Sequence, residues 1–353
     1  MNATLPAIVL GGSGYVAGET LRLIAQHPRL ELGSAVSIGR PGTAIAASFE
    51  HLRGVYPEAR FTSLDAATDK LTEEPHWIVV SAAPHSSSAK LLDGLMTAAE
   101  AAGVRVTVAD TSADFRYRSA QQFADVYGQP HPAPERLELF RCAVPEHLSQ
   151  IDTEHAAQPG CFATAMLLAV LPLVALELSE PEFYVSAVTG STGAGRTPRD
   201  TTHHPLRQGN LFAYQALKHR HHPEVCALVR EATARDIMLH FVPHSGPFAR
   251  GIHATVFARR TGHLTAEQIS DALSQFYAKS SFVRVTSTPP RLKDVVGSND
   301  AILSVSTDGR ALTVCCVLDN LVKGAAGGAL QWINRLLGWP DTEGLVIAPA
   351  GWV

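Results

Sequence analysis

A cysteine that follows a Pro-Gly turn is the residue of this chain best suited to covalent chemistry. Cys161 stands in the segment QPGCFATA and opens the apolar run 163–178, which predicts a helix. A thiol at the start of a helix is stabilised as a thiolate by the helix dipole and by unpaired N–H groups. Cys161 is therefore predicted to be a nucleophile. The alternative is a buried structural cysteine, which the turn before it disfavours.

Histidines further along the chain offer the proton acceptor that a nucleophilic thiol needs. His219 and His221 lie in the segment ALKHRHHPEV, close to Glu224. If this segment is extended, the two rings share one face, so one can act as acid/base while Glu224 orients the other. A metal site formed by His204, His219 and His221 lacks a recognisable ligand spacing, and no metal is predicted.

Two further segments and a pair of arginines can hold anions. Residues 189–196 (TGSTGAGR) follow a predicted strand, and their main chain can form a nest for an oxyanion or a phosphate. Residues 109–116 (ADTSADFR) follow another predicted strand and present Ser112 and Arg116. Arg116 and Arg250 are candidate clamps for phosphate or carboxylate groups, or else surface ion-pair partners.

A glycine-rich turn near the start of the chain predicts a dinucleotide site. Residues 7–19 (AIVLGGSGYVAGE) join a strand to a helix through Gly11, Gly14 and Ala17. Small residues let the main chain approach a pyrophosphate, and the helix start offers free N–H groups. The alternative is an ordinary strand-to-helix turn.

The end of the second predicted strand, 32–38, bears on the choice of dinucleotide. The acidic residue that usually binds a ribose hydroxyl is missing there, and Ser37 and Arg40 stand in its place. An arginine at this place suits a 2′-phosphate and favours NADP over NAD, with a solvated loop arginine as the alternative.

The elements that position these residues fall into two groups. In the first half, strands alternate with helices, which predicts an α/β domain with a doubly wound, mostly parallel sheet; the strands are 7–10, 32–38, 77–81 and 104–109, and the helices 19–26 and 87–102. Residues 111–151 are predicted to form long loops. A run of extended segments then predicts an α+β domain with a mostly antiparallel sheet; these are 183–189, 237–242, 252–259, 282–285, 301–306 and 312–318, before a last helix over 324–337.

Composition narrows the class of protein. The 353 residues suit two domains, and 46% apolar against 18% charged residues excludes a disordered chain. A formal net charge of -4 is not the basic footprint of a nucleic-acid binder. Five cysteines, an odd number without regular spacing, favour a reducing compartment, and there is no CxxC pair to suggest zinc. No signal peptide or membrane-spanning run is recognisable, so a soluble, cytoplasmic protein is expected.

Eight segments, in order along nearly the whole chain, resemble motifs of the N-acetyl-gamma-glutamyl-phosphate reductases, the arginine-pathway relatives of aspartate-semialdehyde dehydrogenase. They are GGSGYVAGE (11–19), APHSSSA (83–89), DTSADFR (110–116), PGCFATA (159–165), GSTGAGR (190–196), HRHHPEV (219–225), FVPHSGPFARGI (241–252) and DNLVKGAAGGALQ (319–331). The resemblance implies that NADPH reduces an N-acyl-glutamyl phosphate to the semialdehyde with release of phosphate, through a thioester and then a thiohemiacetal on Cys161.

The resemblance also implies roles for individual residues. His219 would be the acid/base, supported by His221 and Glu224. The remaining substrate and phosphate contacts would come from Arg116, Ser191 and Arg250. Small residues within 323–328 would lie beside the nicotinamide. The implied cofactor contacts are Gly11, Ser13, Gly14, Tyr15, Val16, Ser37, Arg40, Pro84, Ser112, Gly193 and Asn320.

At the level of domains, the resemblance implies an NADP-binding Rossmann domain over 1–157, completed by the C-terminal helix 324–353. A catalytic and oligomerisation domain would cover 158–323 and form a homodimer or homotetramer. The partners would be a small acyl phosphate and phosphate, with no nucleic acid and no membrane.

Some positions depart from the family pattern. Ala17 replaces a glycine, and Gln158 stands where histidine is common. Residues 200–210 (DTTHHPLRQGN) are similar to the related reductase of lysine synthesis, which acts on carrier-protein-linked aminoadipyl phosphate. That activity stays open as an alternative, although the mildly acidic net charge argues against an acidic carrier. A non-catalytic NADP-binding sensor is disfavoured because Cys161 and His219 are both present.

Overall fold

The computed structural model describes residues 4–351, which divide into two compact units. The first comprises residues 4–142, 150–158 and 325–346, and the second comprises 143–149, 159–324 and 347–351. Each unit is built from segments that are far apart in the sequence. Among the described residues no helix is long and apolar enough to cross a bilayer.

The first unit is built on a parallel six-stranded sheet, which confirms the predicted α/β class. Its strands, numbered in chain order, are β1 (Leu5–Leu10), β2 (Leu30–Val36), β3 (His76–Ser81), β4 (Arg105–Asp110), β5 (Phe140–Cys142) and β6 (His155–Ala157). They lie in the order β2-β1-β3-β4-β6-β5, and every neighbouring pair is parallel. The strand order reverses between β1 and β3, and in such sheets ligands bind beyond the carboxyl ends of the strands at this point.

Helices cover this sheet, and they are α1 (Tyr15–Ile24), α2 (Ile45–Ser48), α3 (Leu64–Thr68), α4 (Ser87–Ala102), α5 (Ala120–Tyr127) and the last helix of the chain, α10 (Gly327–Leu336). Helix α4 has the predicted bounds, since Gly103 adopts the left-handed conformation (φ 67°) that ends it. Helix α1 begins at Tyr15, four residues before its predicted start. The prediction of long loops over 111–151 was wrong in part, because this stretch contains α5 and β5.

The second unit is built on a mixed seven-stranded sheet. Its strands are β7 (Ser179–Thr189), β8 (Phe212–Ala213), β9 (Met238–Ser245), β10 (Ile252–Arg260), β11 (Val283–Thr286), β12 (Ala301–Thr307) and β13 (Ala311–Leu318). They lie in the order β11-β12-β13-β10-β7-β9-β8. The pairs β11/β12 and β7/β9 are parallel and the others antiparallel, so the predicted mostly antiparallel sheet is confirmed.

One face of the second sheet carries the helices of this unit, which are α6 (Cys161–Ala175), α7 (His204–Arg207), α8 (His221–Thr233) and α9 (Ala266–Phe276). Helix α6 packs against β7, β10, β13 and α8. All of its residues from Phe162 to Val174 are buried, as expected for a helix that is apolar on every side. A π-helical turn, Val322–Ala326, follows β13.

Candidate active site

Cys161 is the first residue of α6, as the sequence predicted. Gly160 is the N-cap and has no side chain with which to cap the helix, so the thiol stands at the positive pole of α6. Cys161 is half-buried. The π-helical turn passes directly against it, since a Cβ on Gly324 would lie 2.7 Å from the Cβ of Cys161.

The two histidines that were predicted to share a face of an extended segment lie in another arrangement. That prediction was wrong, because His221 begins helix α8 and His219 lies in the turn before it. The chain reversal nevertheless brings the rings together, with centroids 4.6 Å apart and planes at 73°. The main-chain N–H of His221 donates to Nδ1 of His219 over 3.2 Å. The start of helix α8 therefore brings the two rings together, as an extended segment was expected to do.

Aromatic side chains enclose His219. The ring centroids of Phe162, Tyr214 and Phe241 lie 5.8, 5.8 and 5.4 Å from its own. This burial, together with the charge of Arg220, lowers the pKa of His219 to about 4. At neutral pH the ring is thus uncharged and able to accept a proton. Burial and the nearby Cys161 raise the pKa of Tyr214, which the sequence did not single out and which keeps its phenolic proton.

Glu224 acts on the main chain beside the cysteine. Its carboxylate is fully buried, and Oε1 accepts the N–H of Gly160 over 2.7 Å. The ring of His221 lies over the same glycine so closely that a Cβ on Gly160 would collide with it. His221 and Glu224, both on the first turn of α8, therefore fix the residue that precedes Cys161.

Arg250 is held by a buried carboxylate that the sequence did not single out. Its Nε donates to Oδ2 of Asp319 over 3.0 Å, and Asp319 is fully buried. The same carboxylate accepts main-chain N–H groups at the start of the π-helical turn and from a neighbouring loop; the donors are Gly297, Leu321 and Val322. Asp319 is the first residue of the DNLVKG motif, so the sequence held a signal for it, but its partners come from distant segments.

Asn320 ties loops of the second unit together. Its Oδ1 accepts the N–H of Gly251 over 2.7 Å, and its Nδ2 donates to Oγ1 of Thr192 over 3.0 Å. The predicted main-chain nest at residues 189–196 is wrong, because the N–H groups there donate to protein carbonyls; the donors are Gly190, Ser191, Thr192, Gly193 and Gly195. Ser191 remains half-buried and Gly193 exposed.

In the first unit, the glycine-rich turn has the geometry of a phosphate-binding loop. Gly11 has a φ of +78° and lies against the loop that follows β3. A Cβ on this glycine would lie 2.6 Å from the main chain of Ala83. Gly14 is the N-cap of α1, and no side chain caps that end. Ser13 and Val16 are half-buried and Tyr15 is exposed. This uncapped, accessible helix start fits a pyrophosphate.

At the end of β2, Arg40 is exposed and Ser37 is buried, with its N–H bonded to Thr62. Pro84 is exposed in the loop after β3. Arg116 is buried and donates to the carbonyls of Gln158 and Thr111, over 3.0 and 2.8 Å. These bonds fix the guanidinium beside the end of the first unit's sheet, and substrate binding by Arg116 stays a prediction.

A buried carboxylate network at the end of β4 was missed by the sequence reasoning. Asp110 accepts the hydroxyls of Ser88 and Ser112 over 2.7 and 2.6 Å. Asp114 accepts the N–H groups of Ser86 and Ala89, and so caps helix α4 from another segment. Burial and the nearby Asp114 raise the pKa of Asp110 to about 6. Ser112 is therefore engaged in fixing the loops that follow β3 and β4.

Two family models match the chain. The model "Semialdehyde dehydrogenase, NAD binding domain" covers residues 6–158, and "Semialdehyde dehydrogenase, dimerisation domain" covers residues 161–320. Among solved structures, aspartate semialdehyde dehydrogenase II of Vibrio cholerae, complexed with ASA, superposes with a TM-score of 0.70 at 18% identity, over 96% of this chain and 99% of that one. The enzyme of Candida albicans with NADP has a TM-score of 0.64 at 13% identity, over 95% and 99%.

Full-length relatives carry two kinds of name. N-acetyl-gamma-glutamyl-phosphate reductases of Ectopseudomonas mendocina and Rhodospirillum rubrum are 37% and 34% identical, over 96% and 98% of both chains. A protein of Aeropyrum pernix named as a LysW-L-2-aminoadipate/LysW-L-glutamate phosphate reductase is 34% identical over 99% of both. The chain therefore belongs to the semialdehyde dehydrogenase family, among its N-acetyl-gamma-glutamyl-phosphate reductase-like members, and is an oxidoreductase with a nicotinamide-dinucleotide-binding domain.

Proposed function

We propose that this enzyme reduces N-acetyl-L-glutamyl 5-phosphate to N-acetyl-L-glutamate 5-semialdehyde with NADPH, a step of arginine biosynthesis, through a thioester on Cys161. The observation that carries the proposal is the thiol at the start of α6, with the neutral, enclosed His219 in the same unit. A nucleophile and a proton acceptor are what covalent acyl transfer requires.

The proposed chemistry balances in two steps. The sulfur of Cys161 attacks the acyl carbon, the C–O bond to phosphate breaks, and the thiol proton ends on the leaving phosphate oxygen. His219 mediates this proton transfer, since its lowered pKa keeps it ready to accept. A bound cofactor would supply the hydride that reduces the thioester carbon. Cys161 then leaves as a thiolate and takes up one proton from solvent, which restores the starting thiol.

Residues around Cys161 and His219 position the thiol and the substrate. Glu224 and His221 fix Gly160 and with it the direction of the thiol. Arg250, oriented by Asp319, and Ser191 are proposed to bind substrate and phosphate. Charge-assisted hydrogen bonds from a guanidinium suit both anions.

We propose NADP(H) as the cofactor, with the first unit as its binding domain and the second as the catalytic and oligomerisation domain. When bound, the reduced nicotinamide supplies the hydride. The uncapped start of α1 suits the pyrophosphate, and the exposed Arg40 suits a 2′-phosphate at the end of a strand that lacks an acidic residue. Ser13, Tyr15, Val16, Ser37, Pro84, Ser112, Gly193 and Asn320 stay proposed contacts.

The test is run in the oxidative direction, with N-acetylglutamate semialdehyde, NADP and phosphate, and follows absorbance at 340 nm. Cys161→Ser should lose at least roughly 10³-fold in kcat, and an acyl adduct on wild type should appear by mass spectrometry. Cys226→Ser, which removes another half-buried thiol of the same unit, is the matched control. Activity that persists in Cys161→Ser contradicts the covalent mechanism.

A second candidate substrate is carrier-protein-linked aminoadipyl phosphate. Besides the Aeropyrum relative, a local charge pattern favours it: between residues 196 and 220 the chain exposes Arg196, Arg199, Lys218 and Arg220 against one acidic residue, Asp200. Basic loops attract an acidic carrier even when the whole protein is mildly acidic. Assaying N-acetylglutamate semialdehyde beside the carrier-linked aminoadipate semialdehyde separates the two substrates by their kcat/KM.

A further inference from the structure

Tyr214 is a half-buried phenol beside the candidate nucleophile, and the mechanism proposed above gives it no part. Its ring centroid lies 5.8 Å from that of His219. The ring of Phe162, the residue after Cys161 in α6, lies at the same distance from the same imidazole. Burial and the nearby Cys161 raise the pKa of Tyr214, which agrees with this arrangement. The loop after β8 and the start of α6 therefore bring the phenol and the thiol to one histidine ring.

A strained loop holds Tyr214 in this position. The main-chain N–H of Tyr214 donates to the carbonyl of Pro243 over 3.1 Å. That of Leu217 donates to the carbonyl of Phe241 over 2.9 Å, so both ends of the loop are bonded to β9. Between them, Gln215 and Leu217 are left-handed, with φ of 45° and 60°, which residues other than glycine rarely adopt. Such strain persists only where the surrounding structure enforces it, and it clusters at functional sites.

The hydroxyl of Tyr214 has no hydrogen-bond partner among the described residues. The phenols of Tyr56 and Tyr277, by contrast, both donate to main-chain carbonyls, as enclosed tyrosines usually do. Because its pKa is raised, Tyr214 keeps its proton at neutral pH and remains a hydrogen-bond donor. An enclosed donor beside a nucleophile, left without a partner in the protein, points to a hydrogen bond made to the substrate.

We propose that Tyr214 is a catalytic residue whose hydroxyl donates a hydrogen bond to the acyl oxygen of the substrate. When the sulfur of Cys161 bonds to the acyl carbon, the π electron pair of the C=O bond moves onto that oxygen, and it returns when the leaving group departs. Tyr214 keeps its proton throughout, and its hydrogen bond strengthens while the oxygen is charged. The inference rests on the proposed function and deepens it by naming the group that stabilises this charge.

The experiment compares two reactions of the same thiol, neither of which needs the dinucleotide. p-Nitrophenyl acetate acylates a nucleophilic cysteine through an oxyanion, whereas iodoacetamide alkylates it by direct displacement and forms no oxyanion. Tyr214→Phe removes only the hydroxyl. It should slow the acylation of Cys161, followed by release of p-nitrophenolate, roughly 10- to 100-fold, which is less than in a fully enclosed oxyanion hole because Tyr214 is half-buried. Alkylation of Cys161, located by mass spectrometry, should stay within about twofold of the wild-type rate.

Controls keep the outcome decisive. Tyr56→Phe removes the hydroxyl of another half-buried tyrosine, in the first unit, and should change neither rate. Cys161→Ser gives the background from other groups, which is subtracted. If Tyr214→Phe does not fold, Tyr214→Leu replaces it, and the ratio of the two rate constants is the readout. Equal slowing of both reactions would mean that Tyr214 acts on the thiol or on His219, and would overturn the proposal. Unchanged acylation would overturn it too.

Failure of the proposed function is separately visible. If wild type does not oxidise N-acetylglutamate semialdehyde, yet its acylation depends on Cys161 and on the hydroxyl of Tyr214, the proposed substrate is wrong and the role of Tyr214 stands. If the wild-type Cys161 is alkylated but not acylated, the role of Tyr214 is overturned, because no charge on an acyl oxygen is then stabilised.

Discussion

At the scale of single residues, the site depends on which groups are charged and which are kept neutral. His219 is neutral because aromatic rings exclude water from it and Arg220 repels a proton. Glu224 and Asp319 are fully buried carboxylates whose oxygens accept main-chain N–H groups. The neutral base and the hydrogen-bonded carboxyl groups are thus in place before substrate binds.

The pKa of His219 can be measured directly. We expect its ring to titrate near pH 4 in the folded protein instead of near 6.5. Because the unfolded ring binds a proton between these values and the folded ring does not, His219 makes the protein less stable as pH falls through this window. An NMR titration of isotope-labelled histidine, assigned by the signal lost in His219→Gln, reports the midpoint.

Arg220→Gln serves as the matched variant for this titration. Removing the positive charge should raise the midpoint, but by less than the whole shift, because burial is the larger cause. A wild-type midpoint near 6.5 would contradict the enclosed, neutral base.

Sequence motifs identified the residues that carry out the chemistry more readily than those that hold them. Cys161 and His219 stand in recognisable segments, and the structure brings them into one unit. Asp319 and Asp110 were missed, because what distinguishes them is burial and bonding to distant segments. No local pattern encodes such pairings.

At the scale of elements, the π-helical turn beside Cys161 is anchored by a buried ion pair. Lys323 and Glu146 have side chains that are 0% and 1% exposed, with Nζ and Oε1 2.5 Å apart. The residue after Glu146, His147, lies 3.0 Å from the hydroxyl of Tyr277. That hydroxyl donates to the carbonyl of Leu168 in α6. The segment 143–149 therefore connects the π-helical turn to the middle of the helix that Cys161 begins.

We expect Lys323→Met to destabilise the protein by about 3–5 kcal/mol, since it removes the cation that pairs with the buried Glu146. For a unit of this size that is a fall of about 10 °C in Tm. The double variant Lys323→Met/Glu146→Leu should lose less than the sum of the single variants, because it leaves no buried charge. Thermal unfolding of the three variants measures this coupling, and strictly additive losses would argue against an interacting pair.

Long periodic elements could be predicted from the sequence, and short ones could not. Helix α4 and the six extended segments of the second half correspond to observed elements. Strands β5 and β6, of three residues each, and β8, of two, were missed. Segments this short show no period, so their strand conformation is decided by the neighbouring strands with which they pair.

At the scale of the whole molecule, the second sheet exposes apolar side chains on the face away from its helices. Tyr184 and Phe257, register partners on β7 and β10, are 53% and 43% exposed, and Met238 on β9 is 57% exposed. Exposed apolar side chains that are neighbours on a sheet can mark an interface. We propose that a second copy of the chain covers this face in a homodimer, or in a homotetramer built from it.

The double variant Tyr184→Asp/Phe257→Asp should shift the protein to a smaller assembly, because each copy would bring buried carboxylates to the interface. Sedimentation velocity measures the mass in solution. Val55→Asp, which adds a charge at an exposed apolar position of the first unit, is the control and should not alter the mass. A wild-type monomer, or a double variant of unchanged mass, would refute this interface.

The noncontiguous first unit has a consequence for synthesis on the ribosome. Helix α10 packs against β3, β4 and β6, yet it is the last helix to be translated. The strands of the first sheet are translated early. Their apolar face stays uncovered until residues 159–324 of the second unit have been translated and α10 follows. A nascent chain that stalls before Gly327 thus leaves a prepared sheet face open, the state in which aggregation competes with folding. All the strands and helices of the second unit, in contrast, are translated before α10 begins.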